Sequence, residues 1–379
     1  MKPLYAGVDT VDLALQGAFP PDTIDRLTEA REEAAARQEA VLVKVGPGEV
    51  AMHVAPSGLR GGYAFRTDTG PLGEVLAFKA SSDVREWNGF ASIRASTLAA
   101  YGFHGARDQL FARLADMGFT VAAHSINRID YAVDFLAPGF ALRLDGFVAH
   151  PRTKVRPYWG IASPQDPNQP SAVLTGRRLE SVTIGKMPGR QIIVYDKRRA
   201  AIAQRNLFWF KVWGIDRDAP EAEVWRVEVR AGKRELKDRW GIRTFSDSDN
   251  AIGDVIRHTL DEVRYLAPIQ TDSNVTRQEL DPLWQAMIDH VERGLFANYS
   301  GLLPPVIKQI ERELAVDTYK ALTLGNIAGL AVAEGMNQED METLLPERVR
   351  ELVSAALNDP RGKFQKGIDR ARERLHFIA

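Results

Sequence analysis

Three short segments hold most of the residues able to do chemistry: "RIDYAVDF" (128–135), "QIIVYDK" (191–197) and "WRVEVR" (225–230). Side chains alternate across a strand, so each segment divides into an apolar face and an ionisable one. Ile129, Tyr131, Val133 and Phe135 fall opposite Arg128, Asp130 and Asp134; Ile192 and Val194 fall opposite Gln191, Tyr195 and Lys197; Trp225, Val227 and Val229 fall opposite Arg226, Glu228 and Arg230. If the three strands share a sheet, one face collects three carboxylates, a phenol and several cations. Carboxylates inside a sheet are costly unless paired or bound to a cation, and an oxygen-rich set suits Mg²⁺ or Mn²⁺. Such an ion polarises a phosphodiester while a tyrosine oxygen attacks phosphorus, and Lys197 with nearby arginines offsets the phosphate charge. The same spacing equally suits a cross-strand ladder of ion pairs, with the tyrosine as an amphipathic rim residue.

Taken in order, "RIDYAVDF", "SVTIGKMPGRQIIVYDKRRA" (181–200) and "WRVEVRAGKRELKDRWG" (225–241) resemble the replication initiation factor family, the Rep-trans group of rolling-circle plasmid initiators with related phage initiators and relaxases. The resemblance covers about residues 120–245, takes in the N-terminal strands loosely and does not reach the C-terminus. It implies an antiparallel-sheet platform related to the HUH endonucleases, with carboxylates standing where those enzymes use metal-binding histidines. It further implies a nick in one DNA strand, a 5′-phosphotyrosyl link and a free 3′-OH. Carried onto this chain, Tyr195 is the nucleophile with Lys197 beside it, and Asp130 and Glu228 hold Mg²⁺ or Mn²⁺, with Asp134 a further member of the set. The expected DNA contacts are Arg128, Lys186, Arg190, Arg198, Arg226, Arg230, Lys233 and Arg234. Expected partners are single-stranded or hairpin origin DNA, a helicase or other replication proteins, and a second copy of the chain; the expected compartment is the cytoplasm. Near-neutral net charge and a long C-terminal extension depart from the family pattern. They leave open a non-catalytic DNA-binding regulator on the same platform, and an interaction protein with no nucleic-acid role.

These residues need strands to hold them. Further β-like runs lie at 6–15, 40–46, 51–57, 75–81 and 91–96, separated by turns that favour antiparallel hairpins. Helical periodicity marks 105–119, with Leu110, Phe111, Leu114 and Met117 on one stripe, and a short helix near 198–206. "GVDTVDLAL" (7–15) echoes "RIDYAVDFL" (128–136), which suggests a duplicated β-rich half. From about residue 272 the texture turns helical. The expected architecture is therefore α+β, with a sheet domain over 1–268 and a helical domain over 275–379, the latter a bundle or oligomerisation module with only a faint helix-turn-helix spacing.

Composition narrows the chemistry. The 379 residues contain no cysteine, which excludes disulfides, zinc-thiolate sites and thiol nucleophiles. The seven histidines show no H-x-H or H-x-x-x-H spacing, and the glycines of "GLRGGYAF" (58–65) read as a turn instead of a phosphate loop. The N-terminus lacks the basic start and cleavage site of a signal peptide, and no apolar run is long enough to span a bilayer. Net charge is −1, but Arg143 to Arg243 carries 21 basic and 11 acidic residues, so the positive charge is concentrated mid-chain. There, "RAGKRELKDRWG" (230–241) offers Lys233, Arg234, Lys237 and Arg239 to a DNA backbone, or forms a solvated helix start. "KVRPYWG" (154–160) offers Arg156, Tyr158 and Trp159 as a stacking platform, or a packed loop.

Overall fold

The computed structural model describes residues 1–149, 172–269, 274, 277–295 and 303–379. The stacking segment at 154–160 therefore lies outside the described residues. In chain order the elements are β1 (Lys2–Ala18), α1 (Pro21–Arg37), β2 (Val41–Val45), β3 (Val50–Val54), β4 (Phe65–Asp68), β5 (Glu74–Phe78), β6 (Trp87–Ile93) and α2 (Ala95–Asp116). There follow β7 (Thr120–Leu136), β8 (Phe147–Ala149), β9 (Ala172–Thr175), β10 (Arg178–Gly185), β11 (Arg190–Asp196), α3 (Lys197–Ala203), α4 (Phe208–Trp213) and β12 (Val224–Gly232). A π-helical turn (Arg234–Arg239), α5 (Phe245–Glu262), β13 (Val263–Tyr265), α6 (Pro282–Arg293), α7 (Pro304–Ala333), α8 (Gln338–Thr343), α9 (Leu345–Leu357) and α10 (Lys363–Arg374) complete the chain.

Among the described residues eleven strands form one antiparallel sheet in the order β2-β3-β4-β5-β6-β1-β7-β12-β11-β10-β9. The echoing segments are its two central strands, with Gly7 opposite Ala132 and Val11 opposite Ile129. The sheet grows outward from them in the same way on both sides. β6, the last strand before α2, pairs with β1, and β12, the last strand before α5, pairs with β7.

Alternation makes one face of this sheet a core. Val11, Leu13 and Leu15 of β1, Val133 and Phe135 of β7, Val227 and Val229 of β12 and Ile192 and Val194 of β11 are buried together. Leu27 of α1, Leu110 and Leu114 of α2, Val255 and Ile256 of α5 and Trp284 of α6 cover them. α1 begins at Pro21, whose fixed φ and missing N–H suit the first helical turn. α2 is longer than periodicity predicts and changes direction at Gly102 (φ 69°), a left-handed value that favours glycine.

The change of texture near residue 268 is not a change of packing. Leu283, Trp284, Met287 and Val291 of α6 join the main core, and Ile310 of α7 packs with Trp209 and Trp213 of α4. The sheet unit thus extends past the expected boundary into α7. Beyond it, α8, α9 and α10 bury no side chain. The C-terminus nevertheless returns to the first half of the sheet: Arg37 pairs with Glu373 at 3.2 Å, and the Phe377 ring meets His53 edge to face. Among the described residues no helix is long and apolar enough to cross a membrane.

Candidate active site

β12 lies between β7 and β11, and its register brings the three chemically loaded segments together. Arg226 stands opposite Asp134 on one side and Tyr195 on the other; Glu228 stands opposite Ala132 and Ile193; Arg230 stands opposite Asp130 and Gln191. The shared polar face expected from alternation exists. A bulge in β1 between Val8 and Thr10 adds Asp9 to it.

The face is organised as two centres. In the first, the wholly buried Arg226 donates Nε to Asp134 Oδ1 (2.5 Å), Nη2 to Asp134 Oδ2 (2.8 Å) and Nη1 to Asp9 Oδ1 (2.5 Å). Trp213 Nε1 donates to Asp134 Oδ2 at 2.8 Å, and the guanidinium lies 4.4 Å from the centre of the Trp209 ring. In the second, the Tyr195 hydroxyl donates to Glu228 Oε2 at 3.0 Å, while Glu228 Oε1 accepts Arg230 Nε at 2.6 Å. Arg230 also reaches Asp130 at 3.6 Å, and Arg128 donates Nε to Asp130 at 2.8 Å. Lys197 joins the centres, its Nζ 3.4 Å from the Tyr195 oxygen and 4.8 Å from the Trp209 ring centre.

The charged run after Tyr195 is the device that turns the chain. Asp196 accepts the Arg199 backbone N–H at 2.9 Å and so caps α3, and Arg178 pairs with the same carboxylate at 2.9 Å. Tyr195 is thereby the last side chain of β11 on the polar face before the backbone leaves the sheet.

Burial sets the proton affinities. It raises Asp130 to about 7, helped by the neighbouring Glu228 charge and opposed by Arg128 and Arg230. The Tyr195 hydroxyl is raised by burial and by Glu228, so its proton is held firmly at rest. Lys197 is lowered by burial and by the like charge of Arg226. Burial alone would raise Asp9, but Arg226 and Lys197 outweigh it and the carboxyl is lowered.

The three expected metal ligands are not brought to one point. Asp130 and Glu228 are neighbours that share Arg230, and carboxylate oxygens are the donor type that Mg²⁺ or Mn²⁺ takes. Asp134 is held in the other centre by Arg226 and Trp213 and is not placed with them. Among the described residues no three His, Cys, Asp or Glu side chains form a group that could hold a metal ion.

The expected DNA contacts also divide. Arg226 is buried and engaged, and Arg190 is 3% exposed, donating to Thr259 Oγ1 at 2.7 Å and pairing with Glu262. Both are structural cations, displaced from a binding role by their burial. Arg128 and Arg230 instead line a cleft of about 430 Å³ that opens on the polar face. The segments that carry Lys186, Lys233 and Arg234 are tied together, because Gly232 N–H bonds the Gly189 carbonyl (2.7 Å) and Arg234 N–H bonds the Pro188 carbonyl (3.1 Å). Arg198 lies past the other end of β11 and donates to the Arg217 carbonyl at 2.9 Å. Sequence reasoning passes over Asp9, Trp209 and Trp213. The echo of 7–15 in 128–136 and the aromatic run "LFWFKVW" (207–213) are the signals for them.

No protein-family model matches the sequence, and no curated protein is similar to it. Among solved structures, a rolling circle replication initiator protein from Geobacillus stearothermophilus is similar at 14% identity, over 79% of this chain and 99% of that one, with a TM-score of 0.38.

Proposed function

We propose that the chain is a replication initiator of the rolling-circle type that nicks one DNA strand and carries its 5′ end on Tyr195. The observation that supports this reading is the Tyr195 hydroxyl held between Glu228 (3.0 Å) and Lys197 (3.4 Å) on the sheet face that also carries Arg226 and Arg230. In the proposed step the Tyr195 oxygen bonds to phosphorus, the bond from phosphorus to the 3′ oxygen breaks, and the leaving oxygen takes a proton to become a 3′-OH. Glu228, already accepting the hydroxyl hydrogen bond, is the nearest acceptor for the tyrosine proton. Lys197 and Arg230 stand where they offset the charge on the phosphate oxygens. Asp130 and Glu228 would hold Mg²⁺ or Mn²⁺, whose chemistry there is to withdraw charge from the phosphate. On this reading the platform is of the HUH type, and the two halves of the sheet are copies of one unit of which only the second kept a nucleophile.

A second reading rests on one specific observation: each carboxylate of the face already has an arginine partner. That is the arrangement of a regulator that binds DNA without cutting it. Labelled single-stranded DNA incubated with the protein and Mn²⁺, then run on a denaturing gel, separates the two. A slow-migrating adduct that disappears in Tyr195→Phe and is reduced in Asp130→Ala supports nicking. DNA retention with no adduct at any metal tested supports the regulator.

A further inference from the structure

We propose that Trp209 is a positioning residue: its ring holds the Lys197 ammonium beside the Tyr195 oxygen without neutralising it, so that one cation of the polar face stays available to a phosphate oxygen. The inference rests on the DNA-nicking reading only for the source of that phosphate, and on the contacts of Lys197 for the rest.

The other cations of the face are tied to carboxylates. Arg226 pairs with Asp134 and Asp9, Arg230 with Glu228, and Arg128 with Asp130. Lys197 is 6% exposed, yet among the described residues it forms no ion pair. An ammonium has three N–H donors. One points at the Tyr195 oxygen at 3.4 Å, and no described residue accepts the other two. A buried charge in that state is costly, and an anion beside it lowers the cost.

Aromatic rings hold the ammonium in place. Its Nζ lies 4.8 Å from the centre of the Trp209 ring and 5.7 Å from that of Tyr195. An indole face attracts a cation but carries no charge to cancel it, whereas a carboxylate at the same place would fill the donors. Arg226 also lies over this ring, at 4.4 Å, but its donors are taken by Asp134 and Asp9. The ring is itself fixed: Trp213 is nearly parallel to it (21°, centres 6.0 Å apart) and is anchored by its own N–H on Asp134. Tyr195 is only half-buried, so a phosphate that reaches the phenol meets the ammonium too.

The test follows the magnetic-resonance signal of the Lys197 ε-methylene in protein made with isotope-labelled lysine, assigned by its absence from Lys197→Met. In the parent the ring current of Trp209 should displace this signal upfield of exposed lysines, and inorganic phosphate should shift it saturably. Trp209→Leu should return the signal towards the exposed lysines and weaken the phosphate response about tenfold; Trp209→Phe, which keeps a smaller ring, should weaken it about threefold. A Lys197 signal that ignores phosphate in the parent overturns the inference, as does a Trp209→Leu protein that binds phosphate as tightly as the parent. If Trp209→Leu does not fold, Trp209→Phe decides, and an unchanged affinity there rejects the role. Denaturing gels on the same proteins keep the two readings apart. A phosphate response at Lys197 without adduct would uphold the role of Trp209 and sink the nicking reading. Adduct formed at the parent rate by Trp209→Leu would do the reverse.

Discussion

Arg226 and Tyr195 are directly opposite each other on neighbouring strands, yet substitution should affect them in opposite ways. Arg226→Ala would leave Asp134 and Asp9 buried without a cation, a change expected to cost about 3–5 kcal/mol and to lower the denaturant midpoint. Tyr195→Phe removes one neutral donor from a carboxylate that keeps Arg230, so stability should fall by only about 1 kcal/mol while adduct formation is lost. A Tyr195→Phe protein that melts as early as Arg226→Ala would show the phenol to be structural. Alternation along each strand is enough to place all these groups on one face. It cannot assign which carboxylate meets which arginine, because Asp134 and Arg226 are joined by a register set 92 residues apart in sequence. Alternation therefore groups Asp134 with Asp130 and Glu228, although it faces a different centre.

At the scale of elements, the entry to α5 carries a pH dependence. Thr244 and Asp247 form a capping box there, and His124 of β7 accepts the Phe245 backbone N–H at 3.3 Å through Nε2, which requires the unprotonated nitrogen. Burial lowers His124 below its usual 6.5, with Asp247 opposing. A lowered folded-state value means that the unfolded chain binds the proton more readily, so stability present above pH 6.5 is lost as pH falls through the folded value. His124→Gln should keep an acceptor and remove this loss, seen as a flatter melting temperature between about pH 7 and 5. The turn between β10 and β11, which lies against the end of β12, depends on close backbone packing. A Cβ on Gly232 would meet the Pro188 carbonyl oxygen at 2.5 Å, so Gly232→Ala should push the turn away from β12 and weaken DNA binding even though no charge is lost. Replacing Lys186, Lys233 and Arg234 together should reduce the salt dependence of single-strand affinity by about 2 in log–log slope. β11, β12 and the position of Tyr195 at a strand end are legible because alternation and the charged run mark them. α4 is not, since "LFWFKVW" is apolar nearly all round and has no period to read.

Over the whole molecule, the helices from α8 onward add little to the core. A chain ending after Ala333 should keep a single cooperative melt, with a midpoint a few degrees lower from loss of the Arg37–Glu373 and His53–Phe377 contacts. A midpoint tens of degrees lower would show instead that the C-terminal return is integral to the sheet. The mixed helix and antiparallel-sheet class follows from local pattern, but α1, β4 and α5 are elements that the periodicity reading passes over. The extent of the sheet unit does not follow from it, because α6 and the start of α7 look like the helices after them and differ only in what they pack against. The pairing of β1 with β7 bears on how the chain is made. A ribosome releases β1 first and β7 about a hundred residues later, so one edge of a 17-residue, largely apolar strand is born without its neighbour. During that interval the edge is open to any other nascent chain, and the yield of soluble protein should depend on translation speed and chaperone supply more than on final stability.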